Sequence, residues 1–139
     1  MITDEELDIS LKNMAMSAVE NNFGPITVEH LLLELLHNSS TVKTLMACSA
    51  NIDKLRKSLT TFVEEKRKPE SMMAGFYLII TKYANKAQLY MESDVRTDKI
   101  TGFHMLLAIF DDNDSHAVKF LHQCGVTQSD AIMYLDTGT

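Results

Sequence analysis

The 139-residue chain has little that interrupts a helix: five glycines and two prolines, Pro25 and Pro69. Both prolines fall between stretches of helical periodicity, where proline is tolerated. It has two cysteines, Cys48 and Cys124, and they form no CxxC pair of the kind that holds metal. Basic residues are scarce, 13 against 19 acidic ones, for a formal net charge of −6. An acidic surface repels phosphate backbones, so no nucleic-acid partner is expected; Lys66-Arg67-Lys68 is the densest basic cluster. No apolar run approaches the ~20 residues that cross a bilayer. The N-terminus carries Asp4, Glu5, Glu6 and Asp8 in place of the basic start and apolar stretch of a secretory signal. Two reduced thiols in such a chain suit a cytoplasmic protein with no membrane partner. Catalytic signatures are missing as well. There is no GxSxG, no GxxxxGK[ST], no GxGxxG and no HExxH. The expectation is a chain with no catalytic residues, no metal site and no cofactor of its own.

What is present is helical periodicity in nearly every segment. The hydrophobic fraction is 45% and the charged fraction 23%, ordinary values for a globular domain. A chain of this length buries a sufficient core without disulfides or metals. Leu7, Leu11, Met14, Ala15 and Ala18 line one face of a helix, and Thr3 with Glu6 has capping-box spacing ahead of them. Ile52, Leu55, Leu59, Phe62 and Val63 form a second stripe, with Asn51 as its N-cap. Sustained apolar/polar alternation is missing, so no sheet is expected and the fold class is all-α.

The strongest internal signal is self-similarity. Residues 26–36 read ITVEHLLLELL and residues 100–110 read ITGFHMLLAIF. Ile26, Thr27, His30, Leu32 and Leu33 match Ile100, Thr101, His104, Leu106 and Leu107 at an offset of 74 residues. Each copy follows an alanine-bearing helix and precedes a polar turn, a third helix and a fourth apolar helix. The third helices span Thr41 to Cys48 and Ser115 to Cys124, and the fourth span Ile52 to Val63 and Val126 to Leu135. A fixed period of this kind indicates duplicated supersecondary units that bury a core together. The expectation is a single domain over 1–139 with about eight helices. Repeat one covers about 1–65, a linker about 66–71, and repeat two about 72–139. The extra stretch around Glu92 to Lys99 in the second copy reads as a polar loop.

Thr27 and Thr101 read as N-caps, and Glu29 falls in the first helical turn, where a carboxylate is favoured. One reading has Glu29 completing the helix start. The other makes it an exposed anion for a basic group on a partner. His30 and His104 hold equivalent positions, which implies a shared packing or hydrogen-bonding task. A metal-dependent enzyme would have to be built from these histidines and nearby carboxylates, and no constellation supports it. Cys48 and Cys124 read as small buried hydrophobes. Asp111-Asp112-Asn113-Asp114 lacks the glycine and terminal glutamate of a calcium loop and reads as a turn between helices. The nine methionines suit core packing, with Met72 and Met73 better placed for an adaptable binding surface.

Taken in order, ELDISLKNMAMSA, ITVEHLLLELLHNSS, LMACSANIDKLRKSL and ITGFHMLLAIF resemble the N-terminal domain of the Clp/Hsp100 AAA+ unfoldases, in particular the ClpA branch. The resemblance covers essentially the whole chain, and Asp136 to Thr139 resembles the handover to that domain's linker. It implies two pseudo-symmetric four-helix Clp repeats. It also implies a docking module, monomeric when isolated, above a hexameric ATPase ring. Its expected partners are a ClpS-type adaptor and protein substrates, with the ClpP protease reached only through ATPase modules. The alternative is a stand-alone Clp-repeat protein that binds clients directly. The resemblance carries two docking residues over: Glu29 by the motif, and Lys86 by a basic position on the helix before the second motif. In the ClpC branch both copies carry T-E-H and the two glutamates help bind phosphoarginine. Here Phe103 stands at the second position, so that recognition is not implied there. Gly24 and Pro25 replace bulkier polar residues before the first motif.

Overall fold

A computed structural model describes residues 2–20, 27–65 and 73–137. Among them run eight helices: α1 (Glu5–Glu20), α2 (Val28–Leu35), α3 (Ser39–Ala47), α4 (Ile52–Glu65), α5 (Met73–Glu92), α6 (Gly102–Phe110), α7 (His116–Gln123) and α8 (Gln128–Thr137). The all-α expectation holds, with four helices on each side of the expected linker. That linker, both prolines, Gly24 and Met72 lie outside the described residues, as does the Met73 side chain.

Helix starts follow from local chemistry. The α1 cap is Asp4, whose carboxylate accepts the Leu7 N–H at 2.8 Å, and not the Thr3–Glu6 box. Thr3 is instead drawn into a parallel bridge with Ile100. The Asp4 N–H donates to the Ile100 carbonyl at 2.8 Å, and the Ile100 N–H donates to that of Ile2 at 2.7 Å. This pairing ties the chain start to the second motif, a long-range constraint that helical spacing does not reveal. Asn38 caps α3, Ser115 caps α7, and Asn51 caps α4 as expected. Helix α8 starts two residues later than the periodicity suggests, because Thr127 and Asp130 form a reciprocal box at 3.2 Å in both directions.

The repeat is legible at helix ends too. Cys48 and Cys124 are both C-caps, followed by left-handed residues, Ser49 (φ 59°) and Gly125 (φ 91°). Ala50 N–H bonds the Leu45 carbonyl at 2.9 Å, and Val126 N–H bonds that of Leu121 at 3.1 Å. Each closes a Schellman motif. The two ends also meet, since the Asn51 N–H donates to the Cys124 carbonyl at 3.2 Å.

The core is built on the two motif helices. Every residue of α6 is buried, as expected of a helix apolar all round. It packs along α5 and touches α2, α3, α7 and α8. Helix α2 packs against α1, α4, α6 and α7. Close approach at the head of α6 requires glycine. A Cβ on Gly102 would lie 2.6 Å from both Asn38 Cγ and Thr41 Oγ1 at the start of α3.

Candidate functional site

The two motifs put the same chemistry in two settings. In each, a histidine at the third helical position accepts the N–H of the capping threonine on Nδ1. The distance is 3.1 Å for Thr27 and His30, and 2.9 Å for Thr101 and His104. A ring nitrogen that accepts carries no proton, so the remaining proton of the neutral imidazole sits on Nε2. Of the two shared tasks expected for the pair, packing or hydrogen bonding, this is the second. In the second copy Nε2–H donates to Asp94 Oδ2 at 2.8 Å. Arg96 grips the same carboxylate from the other side, with Nε to Oδ1 at 2.8 Å and an amino group to Oδ2 at 3.0 Å. The Arg96 backbone N–H also donates to Oδ1.

The two histidines and Asp94 are buried, and their protonation follows. His104 has no exposed surface; burial lowers its pKa, against the opposing pull of the Asp94 carboxylate. For Asp94, burial pushes upward, but the donors from Arg96 and His104 outweigh it and hold the carboxyl at about 2. Burial alone lowers His30 to about 4. Asp94 lies in the Ser93–Lys99 connection, a stretch that reads from its sequence only as a polar loop. Its usable signal was D-x-R, a turn whose aspartate can accept the backbone N–H two residues on.

Glu29 is not the exposed anion that one reading made it. It is 5% exposed, and its Oε2 accepts the Ala117 N–H at 2.9 Å. The carboxylate satisfies an otherwise orphaned amide at the start of α7, where the helix dipole favours negative charge. The second copy reverses the arrangement. Phe103, in the position of Glu29, is buried and its own backbone N–H donates to Ser40 Oγ of α3 at 2.9 Å. The Arg96 guanidinium lies 5.2 Å from the Phe103 ring centroid. Each motif helix is thus stapled to the third helix of the other repeat.

Lys86 lies half-buried on α5. Among the described residues no hydrogen bond or ion pair joins it to Glu29, so the structure does not assemble the two into one charged pair. One turn earlier, Lys82 lies 3.7 Å from Asp112. The acidic turn after α6 is indeed a connection, and it is anchored on both flanks. Tyr83 donates to Asp112 at 2.6 Å, while Tyr90 and Gln128 donate to Asp111 at 2.9 and 2.7 Å. Burial and the Asp111 acceptor push the Tyr90 hydroxyl up to about 12.

Among the described residues no three His, Cys, Asp or Glu side chains converge as metal ligands would. Both cysteines are free thiols, and burial pushes both upward in pKa, away from the reactive thiolate. Met14 and Met105 are core residues, whereas Met16, Met46 and Met133 are exposed. No helix among the described residues is long and apolar enough to cross a membrane.

Comparison with known proteins agrees with this geometry. The Clp repeat (R) N-terminal domain family matches residues 3–124. A ClpA homolog protein of Fuscovulum blasticum is 30% identical over 117 residues, 81% of this chain. The aligned region is 15% of the length of that relative.

Proposed function

The chain belongs to the Clp repeat N-terminal domain family, and from that premise we propose that it is the substrate- and adaptor-docking module of a ClpA-type unfoldase. The observation that carries the reading is the family match over residues 3–124, together with a ClpA homolog aligned along most of the chain. In this reading the module binds a ClpS-type adaptor and presents its clients. Unfolding and ClpP-dependent proteolysis are driven by ATPase modules, and the protein works in the cytoplasm. Lys86 contacts the partner directly. Glu29 acts as a positioning residue, because its buried carboxylate holds the start of α7 against α2.

A calorimetric titration with a purified ClpS-type adaptor tests this. The expected result is one-to-one binding in the micromolar range or tighter, about −8 kcal/mol or more favourable. Lys86→Glu should weaken it roughly tenfold with the helical spectrum unchanged. An absence of heat for the wild-type domain would overturn adaptor docking and leave direct client binding. Unaltered affinity in the variant would remove Lys86 from the interface.

A further inference from the structure

A second surface includes neither Glu29 nor Lys86. Helices α4 and α7 leave between them a groove of about 350 Å³, lined by Lys54, Lys57, Ser58, Thr61, Phe62 and Phe120, with Glu65 at one end. That volume is in the range of sites that take a side chain or small ligand. The groove has an aromatic floor and a cationic rim. The Phe62 and Phe120 rings meet edge to face, with centroids 6.0 Å apart at 72°. His116 extends the cluster, 4.7 Å from Phe62. Both phenylalanines are only half-buried.

The rim charges are not explained by the helix that carries them. Lys54, Arg56 and Lys57 fall in the first half of α4, while Glu64 and Glu65 close it. This is the reverse of the order that the helix dipole favours. Arg56 is paired with Asp53 at 3.1 Å, and Lys54 donates to the Gln123 carbonyl at the end of α7, at 3.3 Å. Lys57 is exposed and has no ion-pair partner among the described residues. In a chain of net charge −6, this is a local cationic strip along an aromatic trough.

We propose that the α4–α7 groove is a docking site for an acidic peptide segment of a protein partner, anchored by one aromatic side chain. The anchor lies against Phe62 and Phe120, and flanking carboxylates reach Lys57 and Lys54. The distance along α4 from Lys54 to Glu65 is ~16 Å at 1.5 Å per residue, the length of about five extended residues. Glu65 at the far end excludes acidic residues there, so it also sets the direction of the segment.

The test is fluorescence anisotropy with a labelled short peptide in which one phenylalanine is flanked by aspartates. The expected result is saturable binding that weakens at least about tenfold with Lys57→Glu and as salt is raised. Replacing the peptide phenylalanine by alanine, or its aspartates by lysines, should weaken binding similarly. Amide shifts in a parallel NMR titration should centre on Lys54, Lys57, Phe62 and Phe120. Lys57 is at the surface, so its replacement leaves the core intact, and a circular-dichroism spectrum verifies this. Absence of saturation, equal affinity for the lysine peptide, or unchanged affinity in Lys57→Glu would overturn the proposal. Self-association of the domain through this face would also overturn it, and sedimentation would reveal that. Adaptor binding is measured separately with Lys86→Glu, so either reading can fail without the other.

Discussion

Acidification should destabilise this domain well above the pH at which its carboxylates titrate. His30 is 9% exposed, and burial lowers it from the ordinary 6.5 to about 4. The folded state therefore binds fewer protons than the unfolded state between these values. Stability is complete above the unfolded pKa and falls as pH drops toward the folded one. At 1.36 kcal/mol per unit, the His30 contribution amounts to about 3 kcal/mol lost by about pH 4. His104 acts in the same direction, because its pKa is also lowered. Glu34 opposes them to a smaller extent: burial raises its pKa, so the folded form takes up a proton earlier. Asp94 acts in a separate, lower window, losing its contribution as pH falls from 3.8 to about 2. For a domain whose total stability is ~5–15 kcal/mol, the histidine loss is large.

The assay is urea unfolding followed by far-ultraviolet circular dichroism, repeated at steps from about pH 7 to about pH 4. The decisive comparison is His30→Gln. Glutamine at the third helical position preserves a capping box but does not titrate in this range. The variant should therefore lose most of the His30 share of the slope, with the His104 share remaining. A wild-type stability that stays flat across this window, or an identical slope in His30→Gln, would refute the reasoning.

Two further outcomes follow from the packing. Gly102→Ala forces a Cβ to within 2.6 Å of Asn38 and Thr41; it should cost about 1–3 kcal/mol, read as a lower urea midpoint with unchanged slope. Glu29→Lys removes the acceptor for Ala117 N–H and places a cation in a buried site at a helix N-terminus. It should destabilise the fold by about 3 kcal/mol, seen as a drop in thermal midpoint. An intact midpoint with selective loss of adaptor binding would instead restore Glu29 as a surface contact.

Local patterns were sufficient for much of this protein. The 3.6-residue stripes, the cap at Asn51, and the duplicated T-x-x-H motif depend on neighbours within a few positions, so spacing alone exposes them. Identical threonine–histidine pairs likewise imply a shared packing or hydrogen-bonding task, and the Nδ1 acceptor in both copies makes it hydrogen bonding. The surroundings of those motifs depend on segments far apart in the chain. Asp94 meets His104 because the connection after α5 folds back under α6. Glu29 meets Ala117 across 88 residues. Thr3 leaves its expected cap because Ile100 offers backbone pairing. A helical wheel places Glu29 in a first turn with an outward option. Only the arrival of α7 with an unsatisfied N–H makes the inward position the lower in energy. Sequence by itself thus determined which helices form and that they are duplicated. Tertiary structure decided which charges are buried and which face solvent, because burial depends on what the rest of the chain brings alongside.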